Sequence, residues 1–504
     1  MFVRKKKNKS GVISVQVIDK SSGKYKLLKT IGSSADPNKI ESLVYEGKQW
    51  INQYTQQLEI DFELHPTSEE IIKSIQEIKA NGTELILGKI YEEIEFDKID
   101  NFLLRYLTII RIESPNSKLK TIDYLRRYYQ IDLDEDKIYR YLDKLYKEQK
   151  EQVQQISYNH TLKILGGQIS VVFYDVTTLY FQIDDEDEIR KRGFSKEGKH
   201  QNPQIVLGLL VSVDGYPLAY EIFEGNKFEG HTMLPVIDRF KEKYNLNKLV
   251  IIADSGLLSH QNIKELQEKG YEFILGARIK NEKQEIKDKI LSLNLKTGES
   301  AIIEKDNGLK LIISYSDKRA LKDKSNRERG LKRLQKQLKS GKLTKSHINN
   351  RGYNKYLEMD GEVNISIDME KFNKDGQWDG LKGYITNTDL SKDEIIENYG
   401  HLWKIEKAFR ISKHDLKIRP IYHRLQRRIE AHITINFVAY KVYKELERQL
   451  KEKKADISAE KVIDIAKTIY TIKIKEPKTG KIITKSLLFN DEQKNISSIF
   501  NLNV

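Results

Sequence analysis

The chain has 504 residues, with 88 lysines and arginines against 74 aspartates and glutamates, which gives a formal net charge of +14. It contains no cysteine, so disulfides, cysteine zinc sites and thiol nucleophiles are excluded, and a reducing cytoplasm fits the composition. The positive charge fits a polyanionic partner such as nucleic acid, although a genome rich in A and T would also enrich lysine, isoleucine and asparagine.

Residues 1–65 are predicted to form an N-terminal β arm. The alternating segments at 12–17 and 24–29 are separated by Ser21-Ser22-Gly23, which is typical of a hairpin turn. The basic start of the chain is not followed by an apolar run, and the apolar stretch 205–213 is far shorter than the ~20 residues that span a bilayer. We therefore expect no membrane partner and a cytoplasmic, nucleoid-associated protein.

Residues 66–165 are predicted to be helical and to form a DNA-binding region. Two amphipathic segments, Leu119–Tyr129 and Asp136–Tyr146, are joined by a short link. They fit a helix-turn-helix whose second helix presents Lys137, Arg140 and Lys144 to DNA. An ordinary packed pair of helices is the alternative.

Residues 166–280 change to a pattern of buried strands. Three strands are predicted at 169–174, 205–213 and 218–223, then a helix after His231, a strand at 249–253, a helix from about Gln261 and a strand at 271–275. Three antiparallel strands followed by alternating helices and strands is the order of an RNase H-like fold. The sequence thus predicts an α/β protein with an RNase H-like catalytic core.

Residues 281–384 are predicted to be a β-rich, basic insertion, with strand-like segments at 310–315 and 363–369. Between Lys318 and Lys345 there are twelve lysines and arginines and only two acids. Such a run indicates either a solvated helix face or a surface that follows DNA phosphates.

The core is predicted to resume over residues 385–450, and residues 451–504 form a C-terminal region without a clear pattern. Ser391 and Glu394 have the spacing of a capping box, which predicts a helix from Lys392 to about His414. A second helix is predicted from Arg424 to about Lys451.

Three acidic residues are the candidates for chemistry. Asp175 and Asp254 each follow an apolar strand, and in open α/β sheets such strand ends form the crevice that binds ligands. Tyr399, Glu406 and Lys413 are spaced by seven, so on one helix they would share a face. The alternative is that the aspartates cap turns and that Glu406 is a solvated charge.

These residues carry a family resemblance. Tyr399-x2-Leu402-x3-Glu406-x6-Lys413 resembles the Y-x2-R-x3-E-x6-K signature of DDE transposases of bacterial insertion sequences, in the IS-four superfamily. Similarity to its IS-sixteen-thirty-four branch extends from about residue 168 to 440, through Asp175-Val176-Thr177-Thr178, Gly193-Phe194-Ser195, Gly225-Asn226, Asp254-Ser255-Gly256 and Arg419-Pro420-Ile421-Tyr422. Leu402 departs from the signature, which has arginine there.

The resemblance implies a transposase that binds terminal inverted repeats as a homodimer, cuts the double-stranded DNA and joins the ends to target DNA. It implies that Asp175, Asp254 and Glu406 hold catalytic Mg²⁺, for which Mn²⁺ can substitute, and that no nucleotide cofactor is used. Arg410 and Lys413 would hold phosphates, and Tyr399 would orient the DNA backbone. Hairpin intermediates with a flipped base occur in this superfamily, and Trp378 is the candidate for stacking on that base.

Three other functions remain open. Asp175-Val176-Thr177 after an apolar strand also resembles the nucleophile motif of haloacid-dehalogenase-type phosphatases. The chain could also be a non-catalytic DNA-binding protein derived from a transposase, or an RNase H-like nuclease without strand transfer.

Overall fold

A computed structural model describes residues 1–9, 11–55, 72–195, 198–246, 248–341, 343–349, 352–360, 364–475 and 480–502. The chain divides into two compact units. The first comprises Met1–Gln76 and Lys473–Ile483, and the second comprises Glu77–Ile472 and Thr484–Val504. Among the residues described, no helix is both long and apolar enough to cross a bilayer.

The first unit contains an antiparallel sheet of β1 (Phe2–Lys7), β2 (Ile13–Asp19) and β3 (Lys26–Ser34), with helix α1 (Pro37–Thr55) packed against it. The predicted hairpin is confirmed as the β2–β3 pair. Strand β1 and helix α1 were not predicted. Gly32 permits the close approach of α1, because a Cβ there would lie 2.6 Å from Leu43 Cδ2. The predicted end of the arm, at residue 65, falls outside the described residues.

The rest of the chain contains thirteen described strands and fifteen described helices. The strands are β4 (Ile75–Lys79), β5 (Val171–Tyr180), β6 (Gln204–Ser212), β7 (Pro217–Glu224), β8 (Val250–Ala253), β9 (Glu272–Ala277), β10 (Ser300–Glu304), β11 (Lys310–Tyr315), β12 (Leu357–Asp360), β13 (Asn364–Ile367), β14 (Leu381–Thr386), β15 (Tyr470–Lys475) and β16 (Ile482–Leu487). The α-helices are α2 (Gly82–Glu93), α3 (Phe102–Glu113), α4 (Lys118–Tyr124), α5 (Glu135–Lys144), α6 (Lys150–Ile164), α7 (Met233–Tyr244), α8 (His260–Glu268), α9 (Gln284–Ser292), α10 (Asp317–Lys339), α11 (Met369–Gly376), α12 (Lys392–Gly400), α13 (Trp403–Arg410), α14 (Gln426–Glu452), α15 (Ala459–Ala466) and α16 (Asp491–Phe500).

A central sheet of eight strands organises the second unit, in the order β10-β11-β14-β9-β8-β5-β6-β7. Strands β5, β6 and β7 are antiparallel neighbours, whereas β8 is parallel to β5 and β9 is parallel to β8. This is the strand order of an RNase H-like core, so the predicted fold class is confirmed. Alternate residues of β5 are buried on opposite faces, Phe173 against the helical side and Val172 and Tyr174 against α7 and α8.

The helical region packs around α14, a helix of 27 residues that contacts α2, α3, α5 and α6. The two predicted amphipathic segments are present as α4 and α5, each extended by a π-helical turn. Whether this region binds DNA stays a prediction.

The insertion extends the central sheet. Its strands β10 and β11, together with β14, continue the sheet beyond β9, and β12 and β13 form a separate pair. The basic run forms α10, a helix of 23 residues. The interpretation of the run as a solvated helix face is therefore confirmed, although the length of the helix was not predicted.

The predicted helix from Lys392 to His414 is two helices. The capping box of Ser391 and Glu394 begins α12 as predicted, but the chain turns at His401 and Leu402 before α13 begins. Leu402 is only 7% exposed, and α12 packs on β8 and β9 whereas α13 packs on β5 and β6. Because the two helices pack on different strands, the seven-residue spacing does not place Tyr399 and Glu406 on one continuous face.

Candidate active site

The two aspartates lie side by side on neighbouring strands. The parallel ladder between β5 and β8 ends at the pair Tyr174 and Ala253, and Asp175 and Asp254 are the next residues on each strand. Adjacent strands lie about 4.8 Å apart, so the two backbones are close at this edge. The sequence suggested that the first strand ends at Asp175. It continues to Tyr180, because its pairing with β6 persists after its pairing with β8 has ended.

Each aspartate is oriented by hydrogen bonds. The Asp254 Oδ1 atom accepts a hydrogen bond from the Ser255 backbone N–H at 2.7 Å and another from the Tyr399 hydroxyl at 3.3 Å. The Asp175 Oδ1 atom accepts one from the Val176 backbone N–H at 2.7 Å. Tyr399 is 5% exposed, and burial together with the charge of Asp254 raises its pKa, so its hydroxyl remains a donor. The contact of Tyr399 is therefore with the carboxylate itself.

Glu406 lies on the exposed side of α13, a helix that contacts β5 and β6. It shares two neighbours with Asp254. Burial and Arg319 lower the pKa of Lys382, while the negative charges of Asp254 and Glu406 act in the opposite direction. Both carboxylates also contribute to raising the pKa of Tyr399, whose ring centroid lies 4.4 Å from Lys382 Nζ. Asp254 and Glu406 thus both lie near enough to Lys382 and Tyr399 for their charges to act on them.

A fourth carboxylate, Glu229, was missed by sequence reasoning. A Cβ built on Gly256 would lie 4.0 Å from Asp254 Oδ2 and 4.0 Å from Glu229 Oε2, so these carboxylates flank the same glycine. The pKa of Tyr174 is raised mainly by burial and also by the charges of Asp175 and Glu229. The signal that could have found Glu229 is its position just after the Gly225-Asn226 motif.

The donor set is suited to a hard divalent cation. Carboxylate oxygens are the ligands that Mg²⁺ and Mn²⁺ prefer, and Asp175, Asp254, Glu229 and Glu406 supply only such oxygens. Within the described part of the chain, no group of three or more histidine or acidic side chains is spaced as a finished metal site. The predicted metal ligands fit the ion by chemistry, and their role stays a prediction.

A basic cleft of about 630 Å³ adjoins Asp254 through Ser255. Its charged lining residues are Arg278, Lys280, Arg319, Arg327, Lys355 and Lys382, against Asp323, Asp375 and Asp379. The acids are engaged in ion pairs, with Asp379 on Arg327 at 2.5 Å, Asp375 on Lys280 and Lys355, and Asp323 on Arg319 at 3.4 Å. This leaves Arg278 and Lys382 as the cations without an ion pair among the described residues of the lining.

Apart from Tyr399, the residues predicted to contact DNA are Trp378, Arg410 and Lys413. Trp378 lines the basic cleft and is partly buried against the small core of the insertion. Arg410 is exposed on α13, and Lys413 is half-buried in the π-helical turn that follows. Leu402, where the signature has arginine, is a core residue, so this position cannot supply a phosphate contact.

The family model described as "Transposase DDE domain" matches residues 166–441, more than half of the chain. The chain belongs to this family. DDE transposases cut and join DNA and generally use divalent metal ions, and all four carboxylates lie within the matched segment. No curated protein sequence matches the chain significantly.

Solved structures similar to this DDE transposase-family chain are themselves transposases. A cryo-EM structure of the piggyBac transposase synaptic complex with hairpin DNA is 10% identical, covers 78% of this chain and 77% of its own, and has a TM-score of 0.40. The Mos1 transposase paired-end complex with the left transposon end is 10% identical, covering 46% and 66%, with a TM-score of 0.16. The Mos1 mariner paired-end complex with Mn is 12% identical, covering 46% and 67%, with a TM-score of 0.15.

Proposed function

We propose that this protein is a metal-dependent transposase that binds the terminal inverted repeats of an insertion sequence, cuts the DNA there and joins the ends to target DNA. We also propose that it belongs to the IS-sixteen-thirty-four branch of the IS-four superfamily. The observation that carries the proposal is the register of Asp175 and Asp254 on neighbouring parallel strands within the matched segment. Glu406, on a helix packed against the strand of Asp175, is the proposed third carboxylate.

Phosphodiester transfer needs an activated nucleophile and stabilisation of the charge on the leaving oxygen. Bound Mg²⁺, or Mn²⁺ in its place, would supply both, with Asp175, Asp254 and Glu406 as its ligands. Tyr399 and the Ser255 backbone N–H fix the Asp254 carboxylate by donating to Oδ1. Glu229, whose Oε2 lies as near to Gly256 as Asp254 Oδ2 does, would hold a ligand water or join the carboxylates directly.

The positive groups around this edge are proposed to hold the DNA. Arg278 and Lys382 lie in the basic cleft beside Asp254, where they can contact the phosphates next to the cut. Exposed cations continue along α10, at Lys318, Lys322, Lys324, Arg329, Lys332, Arg333, Lys336 and Lys339. A groove of this charge attracts a DNA backbone without reading its sequence. A homodimer acting in the cytoplasm is part of the proposal.

The phosphatase alternative has little support. The resemblance to haloacid-dehalogenase-type phosphatases rests on Asp175-Val176-Thr177 alone, whereas the transposase family model matches residues 166–441. A non-catalytic DNA-binding protein remains the alternative that an experiment must separate.

The test uses labelled DNA fragments from each side of the coding gene in its source genome, incubated with the full chain and Mg²⁺. The wild type should cut these fragments at defined positions and yield joined products, whereas Asp254→Asn and Glu406→Gln should bind the DNA and leave it whole. Glu397→Gln is the matched control, since Glu397 is an exposed acid on α12 without an ion pair among the described residues. Binding without cleavage by the wild type would indicate the non-catalytic alternative.

A further inference from the structure

A second cavity, of about 490 Å³, lies in the helical region away from the carboxylates. It is enclosed by two distant stretches of chain, at 111–120 and 417–432, together with Tyr139 of α5. Its lining contains many basic groups and no acidic one: Arg111, Lys118, Lys120, Lys417, Arg419, His423 and His432. We call it the basic cavity.

Two of these cations are fully buried without a counter-charge. Arg111 is 5% exposed and Lys118 is 4% exposed. The Nε atom of Arg111 has no hydrogen-bond partner, and neither side chain forms an ion pair with any residue that the structure describes. A buried charge without a partner is costly, and proteins generally pair such groups or bind an ion beside them.

The electrostatic surroundings contain further bases. Burial lowers the pKa of Arg111 to about 10, and burial together with Arg111 lowers the pKa of Lys118. Burial, with the charges of Lys118, Arg428 and Arg111, lowers the pKa of His423 to about 3. The guanidinium of Arg428 is itself paired with Asp143. Every charged group that shifts the pKa of Arg111, Lys118 or His423 is therefore basic.

His432 adds a hydrogen-bond acceptor to the basic cavity. Its Nε2 lies 2.9 Å from the carbonyl oxygen of Ile418, which can only accept, so Nε2 carries the proton. Its Nδ1 is then a lone-pair acceptor, buried and without a partner among the described residues. The basic cavity thus combines charged donors with a buried acceptor, which suits an oxyanion that still carries a proton.

We propose that the basic cavity is a binding site for a phosphate group, separate from the carboxylate site. Arg111 and Lys118 would donate to its oxygens at the base of the cavity. Lys120 and Lys417, which are exposed at its rim, would attract the anion. Free hydrogen phosphate would use His432 Nδ1 as well as the cations, whereas a DNA phosphodiester, which carries no proton, would use the cations alone. Tyr422, 68% exposed, also lines the cavity and can lie against a nucleic acid.

The experiment measures thermal unfolding of the full chain in inorganic phosphate, with ionic strength held constant by sodium chloride. The melting temperature of the wild type should rise with phosphate and reach saturation. In Lys118→Met and Arg111→Met the phosphate concentration needed for half of this rise should increase about tenfold or more, since each variant loses a charged donor. Lys147→Met, at an exposed lysine in the π-helical turn that follows α5 and outside the cavity, should behave as the wild type.

A DNA arm distinguishes the two sources of phosphate. If the occupant is a DNA phosphate, Lys118→Met should weaken binding of a short duplex, and the slope of log affinity against log salt should fall by about one. If it is a free phosphate, DNA binding should be unchanged while the thermal effect is lost. The proposal is overturned if the wild type shows no saturable response to phosphate, by melting or by calorimetric titration, and Lys118→Met leaves DNA binding unaltered. If the variants fail to fold, the wild type alone decides, because the proposal is overturned when phosphate neither raises its melting temperature nor competes with the duplex for binding at constant ionic strength.

Discussion

The carboxylates at the edge of the central sheet and the cations of the basic cavity are two clusters of like charge. They differ in the groups that surround them. At the sheet edge, Asp254 is held by a hydroxyl and a backbone N–H, and Lys382 lies nearby as a partial counter-charge. In the cavity, Arg111 and Lys118 are buried, and no acidic side chain lies among the described residues that line it. The first cluster thus meets donors and a cation among the protein's own residues, whereas the second meets no counter-charge there.

The largest expected effect is at the sheet edge. Asp175→Asn keeps the shape of the side chain but removes one of the two charges that are in register, so DNA cleavage should fall by at least about 100-fold. Affinity for DNA should be retained or increase, because a negative charge facing phosphates is lost. Single-turnover cleavage and fluorescence anisotropy on the same DNA measure the two quantities. Cleavage at the wild-type rate would remove Asp175 from the site.

The next prediction concerns Lys382, the cation near Asp254. Lys382→Met should slow cleavage about tenfold and reduce the salt dependence of DNA binding, because it removes one cation that can contact a phosphate beside Asp254. Lys289→Met is the control, since Lys289 is exposed on α9 of the same insertion and does not line the basic cleft. Equal effects of the two substitutions would mean that only the overall charge matters.

A second buried lysine, Lys441, extends the comparison to stability. Lys441 is fully buried in α14, where its Nζ donates to the Ser157 carbonyl oxygen at 3.0 Å and to Thr161 Oγ1. Lys441→Met breaks those hydrogen bonds, whereas Lys118→Met breaks none among the described residues. Lys441→Met should therefore be less stable than Lys118→Met by about 1–3 kcal/mol in phosphate-free buffer. Urea unfolding measures this difference, and equal stabilities would show that Lys118 has a partner in solution.

The carboxylates at the sheet edge and the basic cavity also differ in how well the sequence predicts them. Asp175 and Asp254 could be found because each follows a continuous apolar strand, and sheet topology then places strand ends together. The break between α12 and α13 could not be predicted from the sequence, because the apolar periodicity is the same on both sides of Leu402. The two helices are distinguished only by the strands on which they pack. The basic cavity was beyond prediction because Arg111 and His432 come from helices far apart in the chain, and neither shows a motif. Glu229 lies between a strand and a helix, where no periodic pattern marks it, and only its position just after Gly225-Asn226 could have indicated it.

The smallest expected effect concerns pH. Burial and neighbouring cations lower the pKa of His423 to about 3, whereas a histidine in an unfolded chain has a pKa of about 6.5. As the pH falls below 6.5, the unfolded state therefore binds a proton that the folded state does not bind. Stability should be complete above about pH 6.5 and fall as the pH drops toward 3, by on the order of 1 kcal/mol per pH unit for this group. His423→Gln should make this decline shallower.

Saturating phosphate should also make the decline shallower in the wild type, since an anion in the cavity lets the His423 imidazole accept its proton. Urea unfolding at pH 7 and pH 5 with and without phosphate gives the four values required. If phosphate leaves the slope unchanged while His423→Gln reduces it, the histidine is buried as described but the anion binds elsewhere.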